Sequence, residues 1–336
     1  MKAREGDLIE TFDGNIFDVK GLVHPQGKVI AFIRYIPSQQ GERKKGKVAY
    51  RKVYPLHERY ALLQEKFPQY LVRDPVFNEW LCEVPLETIK HHYKPAEFLR
   101  KIRRKRRVDL LEAEAMHFAE LLKKRAEVPW SKLGVSGSLL IGLGTPQSDI
   151  DIVVYGSPSC QKVFNTLESL VKEKGGPVKS YNTEELRRLF GFRSTDTAMS
   201  FEDFIATESR KVLQGKFNGR DYYIRCIKEW REIDEQYGTV NYQTFGYAKI
   251  KAKVTDDSQR IFTPCHYRIE NVETIEGLNI ESIEEIISFR GRFCEQARNG
   301  ETIIAQGKIE LVQKRGGLKH YQMVLGNKVE DFMVLA

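Results

Sequence analysis

The residues best placed to do chemistry are Gly137, Ser138, Asp149 and Asp151, within SGSLLIGLGTPQSDID at 136–151. The two aspartates alternate in SDIDIVVYG, which reads as a strand. Side chains alternate across a strand, so both carboxylates face one side while Ile150, Ile152 and Val154 face the other. Two carboxylates held together repel, which raises the pKa of at least one. A divalent cation removes that conflict. Hard oxygen ligands suit Mg²⁺ or Mn²⁺, which also bridge to substrate phosphates. Gly137-Ser138 offers the complementary grip. Glycine at a strand-to-helix turn lets backbone approach a ligand closely, the free N–H groups that open the next helix favour phosphate, and the Ser138 hydroxyl adds a donor. One loop would hold a phosphate, and a strand close by would hold metal for the same phosphate.

Gly137-Ser138, a ten-residue spacer ending in Ser148, and then Asp149-Ile150-Asp151-Ile152 resemble the signature of the DNA polymerase β-like nucleotidyltransferase superfamily. The resemblance covers residues 110–230. The whole chain is also similar in arrangement to a group of archaeal predicted nucleotidyltransferases. The likeness implies that Gly137 and Ser138 bind the triphosphate of an NTP and that Asp149 and Asp151 ligate two metal ions, which sit roughly 3.5–4 Å apart in such sites. It implies transfer of a nucleoside monophosphate to an acceptor hydroxyl, with one metal acidifying that hydroxyl and the other holding the leaving pyrophosphate. It also implies a third carboxylate on a later strand. In NGRDYYIRCI, 218–227, Tyr222, Ile224 and Cys226 form the apolar face, which leaves Asp221, Tyr223, Arg225 and Ile227 on the cleft face. Asp221 is the natural candidate for the third ligand. Arg225 stands where an acid is expected, and would either clamp a triphosphate or neutralise the aspartate pair without metal. The alternative reading follows from Arg225: a non-catalytic nucleotide- or nucleic-acid-binding protein on the same fold.

The elements that must position these residues fit an α/β (α+β) class. Leu111, Ala115, Phe118 and Leu122 make one apolar stripe and predict a helix over 108–126. SKLGVSGS reads as a strand entering a turn. Ser157-Pro158 predicts the next helix start, with Ser as N-cap and Pro at the first helical position. S-F-E-D at 200–203 predicts a third helix over 201–213. A mixed sheet with helices over 96–240 would then be flanked by an N-terminal β/α module, 1–95, and a β-rich domain, 241–336. In the module, GNIFDVKGLVHPQGKVIAFIRYIP reads as two strands, 57–67 as a helix, and FNEWLCEVPLETIKHHY as short helices broken at Pro85. In the last domain, Ala248, Ile250, Ala252 and Val254 alternate with Lys249, Lys251 and Lys253 as a half-buried strand. S-I-E-E at 282–285 predicts a helix to Ala297, and Gly316-Gly317 a hairpin turn.

The 336 residues allow two or three domains. A content of 41% hydrophobic and 30% charged residues excludes a disordered chain. The sequence has neither an apolar run of membrane-helix length nor a signal-peptide core, which points to a cytoplasmic protein with no membrane partner. Five well-separated cysteines exclude a disulfide framework and a Cys-rich zinc site. The net charge of +8 is unevenly spread. Seven of the eight positions in RKIRRKRR, 100–107, are basic, and ERKKGKVAYRK at 42–52 is a second cluster. Repulsion within 100–107 is relieved if a polyanion docks there, and Tyr93 and Phe98 nearby could stack on bases. An RNA end is therefore the leading acceptor.

Overall fold

The computed structural model describes residues 1–336 apart from 197, 281, 315 and 318. The chain divides into two units. One comprises Met1–Val72, Trp80–Lys179 and Val212–Asp234; the other comprises Arg73–Glu79, Ser180–Lys211 and Glu235–Ala336.

The chain begins with strands β1 (Leu8–Thr11), β2 (Ile16–Val19), β3 (Lys28–Pro37), β4 (Arg43–Lys45), β5 (Val48–Lys52), β6 (Leu71–Asp74), β7 (Glu79–Pro85) and β8 (Ile89–Tyr93), which lie in the first unit except for the end of β6 and the first residue of β7. Their main path runs β4-β5-β3-β2-β1-β8. Helix α1 (Leu56–Lys66) covers a core that includes Phe17, Ile33, Leu63 and Val84. The 16–37 stretch forms two strands as its apolar pattern dictates. FNEWLCEVPLETIKHHY does not form helices: it makes β7 and β8, joined by a single 3₁₀ turn at Leu86–Thr88. Pro85 and a short, irregular apolar pattern favour the strands, whose ladders to β3 and β1 supply the backbone partners.

Helices α2 (Pro95–Ile102) and α3 (Leu110–Arg125) lead into a second sheet. In α3, Asp109 and Glu112 close a capping box, and Leu111, Ala115, Phe118 and Leu122 are buried as their spacing requires. Strand β9 (Leu133–Val135), the single-turn helix α4 (Gly137–Leu140), β10 (Ile150–Tyr155) and α5 (Ser157–Leu170) follow. The sheet is completed by β11 (Val178–Lys179), β12 (Gln214–Phe217) and β13 (Arg220–Ile227), in the order β11-β12-β13-β10-β9. β10 and β13 are parallel and the other pairs antiparallel. Ile150, Ile152 and Val154 are fully buried. The N-cap of α5 is Gly156, at φ +89°, one residue before the serine expected there; Ser157 N–H instead donates to Glu232. All five cysteines are buried thiols, and none of them forms a disulfide.

The second unit carries α6 (Thr183–Arg193), α7 (Phe201–Glu208) and strands β14 (Val240–Asp256), β15 (Cys265–Gly277), β16 (Ile283–Ser288), β17 (Thr302–Lys314), β18 (Lys319–Leu325) and β19 (Phe332–Leu335). The order β14-β15-β16-β18-β17 returns to β14, closing a barrel with β16 and β18 parallel. This is the strand order of an OB-type barrel. Ser200 caps α7 as expected, although the helix stops at Glu208. Lys249, Lys251 and Lys253 stand opposite Glu276, Glu273 and Glu270, so acids on the neighbouring strand balance that basic face. The helix expected from Ser282 is absent: Ile283–Ser288 is strand β16. A capping box is worth only about 1 kcal/mol, whereas β16 is hydrogen-bonded on both sides and buries Ile283, Ile286 and Ile287. No helix among the described residues is long and apolar enough to cross a membrane.

Candidate active site

β10 carries Asp151 at its second position, and Asp149 stands just ahead of the strand, exposed, while Asp151 is half-buried. α4 begins beside them. Gly137 has φ +64°, and a Cβ built on it would lie 1.8 Å from Asp151 Oδ2. Glycine is therefore required twice, for its left-handed backbone and for the space the Asp151 carboxyl occupies. Ser136 N–H donates to Asp151 O (2.9 Å), and Ser136 Oγ donates to Gly6 O (2.6 Å), tying the turn to β10 and to the N-terminus.

The 142–148 loop closes over this turn. Ser148 Oγ accepts from Ser138 Oγ (3.1 Å) and from Thr145 N–H (2.9 Å). Arg43 Nη1 donates to Leu143 O at 2.8 Å and reaches Ser148 Oγ at 3.3 Å. Arg220 pairs with Glu114 and donates to Pro146 O (2.7 Å) and Ser148 O (2.9 Å). Two arginines distant in sequence thus hold the loop that leads to Asp149.

Burial, and then the charge of Asp149, push the Asp151 carboxyl up to about 7; Arg225, Arg34 and Lys52 work against that rise. Lys52 is itself lowered to about 8, chiefly by burial and then by Arg34, while Asp149 and Asp151 favour its charged form. Arg34 from β3 and Lys52 from β5 thus act on the Asp151 charge, and Arg43 from β4, near Lys52 and bonded to the 142–148 loop, completes a cationic wall beside the site. Sequence reasoning missed this wall. Its one trace was the basic cluster at 42–52, and nothing local showed that β3–β5 stand against β10.

Arg225 is not free to act as a clamp. Its Nη1 lies 2.5 Å from Glu5 Oε1 and 3.9 Å from Asp18 Oδ1. Burial opposes its charge, yet Glu5 and Asp18 hold it firmly protonated. Glu5 is fully buried and also takes Lys20 Nζ (2.8 Å) and Gly21 N–H (2.8 Å). Asp18 stays well below the usual carboxylate range: burial raises it, but Lys20, Arg225 and Arg34 more than offset that.

Asp221 is half-exposed and pairs across the β12–β13 hairpin with Lys216 (2.9 Å). The residue level with Asp151 on β13 is Tyr223, and Arg225 is level with Val153. Among the described residues, no three His, Cys, Asp or Glu side chains gather to hold a metal ion. Asp149 and Asp151 alone still suit Mg²⁺ or Mn²⁺. Mg²⁺ is commonly held by one or two carboxylates, with phosphates and waters as its other ligands, and Asp151 is raised first by burial and then by its neighbour Asp149.

The carboxylate pair and the glycine turn lie within a stretch that matches a known domain. The family model of the nucleotidyltransferase domain matches residues 115–189, which takes in Gly137, Ser138, Asp149 and Asp151 but ends before Asp221 and Arg225. An uncharacterized protein of Methanocaldococcus jannaschii is 32% identical over 340 residues, spanning 99% of this chain and 98% of its own length. The chain belongs to the polymerase β-like nucleotidyltransferases, in one family with that archaeal protein. No solved structure matches it.

Proposed function

We propose that the protein transfers a nucleoside monophosphate from an NTP to an acceptor hydroxyl, with Mg²⁺ or Mn²⁺ held by Asp149 and Asp151. The observation that carries this reading is the space that Gly137 leaves for the Asp151 carboxyl beside Asp149, within the influence of Arg34 and Lys52. The cation supplies charge neutralisation of the triphosphate and acidification of the acceptor hydroxyl. The chain's own residues position. Lys52 and Arg34 meet phosphate charge, Arg43 fixes the 142–148 loop, and the Gly137-Ser138 backbone lets the triphosphate approach. The acceptor oxygen attacks the α-phosphorus, the α–β phosphoanhydride bond breaks, pyrophosphate leaves, and the hydroxyl proton passes to water. Asp221 would add a third carboxylate to the metal-holding pair only where its ion pair with Lys216 opens. Arg225, bound to Glu5, acts as a positioning residue that tempers the charge of Asp151.

Pyrophosphate release from each NTP, with Mg²⁺ or Mn²⁺ and with EDTA, tests this reading. Metal-dependent release supports it. Nucleotide binding without release under any condition supports the alternative, a binding protein on the same fold. Two further outcomes follow. Lys52→Ala weakens NTP binding by about ten-fold, since a hydrogen bond to a charged group is worth ~1.5–3 kcal/mol, and wild-type affinity falls as pH rises through about 8, where Lys52 loses its proton; titration of labelled NTP reads both. Asp221→Asn lowers turnover far less than loss of either β10 aspartate, because Lys216 already occupies the Asp221 carboxylate. Equal losses at all three aspartates would place Asp221 in the metal site as a full partner.

A further inference from the structure

A groove of about 750 Å³ lies in the same unit as the carboxylates, and neither Asp149 nor Asp151 lines it. Its floor is apolar, with Phe98, Leu110, Leu139 and Ile141, and one wall is Gly142, Gly144, Thr145 and Pro146 of the loop that leads to Asp149. Leu110 is 72% exposed, an apolar surface left open at the start of α3. Tyr93, whose ring lies tilted against His91 at 4.1 Å, stands at the groove beside Phe98.

Lys101 and Lys105 line this groove and belong to the basic segment 100–107. Arg100, Lys101, Arg104, Arg106 and Arg107 are exposed, and among the described residues none of these five makes an ion pair. Arg103 instead lies over Trp130 at 3.7 Å, and Lys105 pairs with Glu112. The acids of the groove are committed locally. Glu97 holds Lys94, Asp109 caps α3, and Glu112 completes that cap and holds Lys105. The uncommitted charge beside the groove is therefore entirely positive, and it extends well beyond the cavity.

We infer that this groove receives the acceptor and that the acceptor is a single-stranded nucleic acid. This rests on the nucleotidyl-transfer reading above. The strand's phosphates lie along 100–107, its last bases pack on Phe98 and Leu110, and its terminal hydroxyl reaches the 142–148 loop. A small acceptor held in the groove makes no use of the four cations outside it, Arg100, Arg104, Arg106 and Arg107. An acidic peptide meets those cations but has no flat rings for the floor. A strand of bases and phosphates uses both features at once.

The test is fluorescence anisotropy of the full chain with labelled single-stranded RNA and DNA, across a salt series. The variants are Arg104→Gln/Arg106→Gln/Arg107→Gln and Phe98→Leu, each checked by its melting curve. The triple variant binds at least ten-fold more weakly, and its plot of log affinity against log salt is shallower by about 2, from ~0.7 per lost phosphate contact on a single strand. Phe98→Leu, which keeps the apolar packing, weakens binding by about five-fold through lost stacking. Polyglutamate competes poorly. Binding of either strand supports the inference, and the tighter one names the acceptor. Absence of oligonucleotide binding at low salt, affinity untouched by the triple substitution, or equal displacement by polyglutamate overturns it. Labelled-NTP binding and pyrophosphate release are read separately, so an inactive transferase and a mistaken groove give different results.

Discussion

Asp151→Asn is expected to lower nucleotidyl transfer by about 10²–10³-fold while making the metal-free protein more stable at neutral pH. The two effects share one cause. The native Asp151 carboxyl sits at about 7, raised by burial and by Asp149, against an ordinary value of ~3.9. The folded state therefore holds this proton more tightly than the unfolded state, so the group's contribution to stability falls as pH rises from about 4 to about 7 and stays low above that. Asn carries no such charge. Wild type and variant should melt together near pH 4, and the variant should be ahead at pH 8 by at least about 1 kcal/mol, less than the worth of one pKa unit. Added Mg²⁺ or Mn²⁺ should raise the wild-type melting temperature at pH 8 and leave that of Asp151→Asn unmoved. Asp149→Asn should lower turnover comparably. Melting curves that show no pH-dependent gap would mean that the pair is not a negative centre awaiting a cation.

Gly137→Ala should lose turnover as fully as Asp151→Asn, but with a loss of stability rather than a gain. At φ +64° a side chain costs ~1–2 kcal/mol, and the added methyl carbon would fall 1.8 Å from Asp151 Oδ2. One of the two must move, and the carboxyl is the softer. Ser138→Ala is the control. It removes one hydrogen bond to Ser148 and should cost about 1 kcal/mol, with NTP still bound. Near-normal turnover in Gly137→Ala would show that this glycine does not fix the carboxyl.

Much of the site was legible because it is local. Gly137, Ser138, Asp149 and Asp151 fall within 15 residues on one turn and one strand, and period-two alternation places the carboxylates on one face. The rest depends on contacts across long stretches of chain. Arg34, Arg43 and Lys52 come from a sheet completed before β10 begins, and the Glu5–Arg225 pair joins residues 220 apart. No spacing rule reaches so far. Arg225 looked available because its partner lies near the N-terminus. The misread stretches fail for a related reason. The serine and acids at 282–285 satisfy a helix cap locally, but Ile283, Ile286 and Ile287 are taken by neighbouring strands. Conversely, Asn182 and Glu185 form a capping box for α6 that the reading passed over, because the helix has little apolar periodicity to draw attention to it.

The cationic wall also bears on how the gene can be divided. The recognisable domain at 115–189 contains the acids and the glycine turn, yet Arg34, Arg43, Lys52 and Glu5 are encoded upstream, and Arg220 and Arg225 downstream. A fragment cut to the domain borders would carry the negative half of the pocket without the positive half. The transferable module is thus a discontinuous one, and recombination that exchanges the central segment between relatives must carry the N-terminal sheet with it.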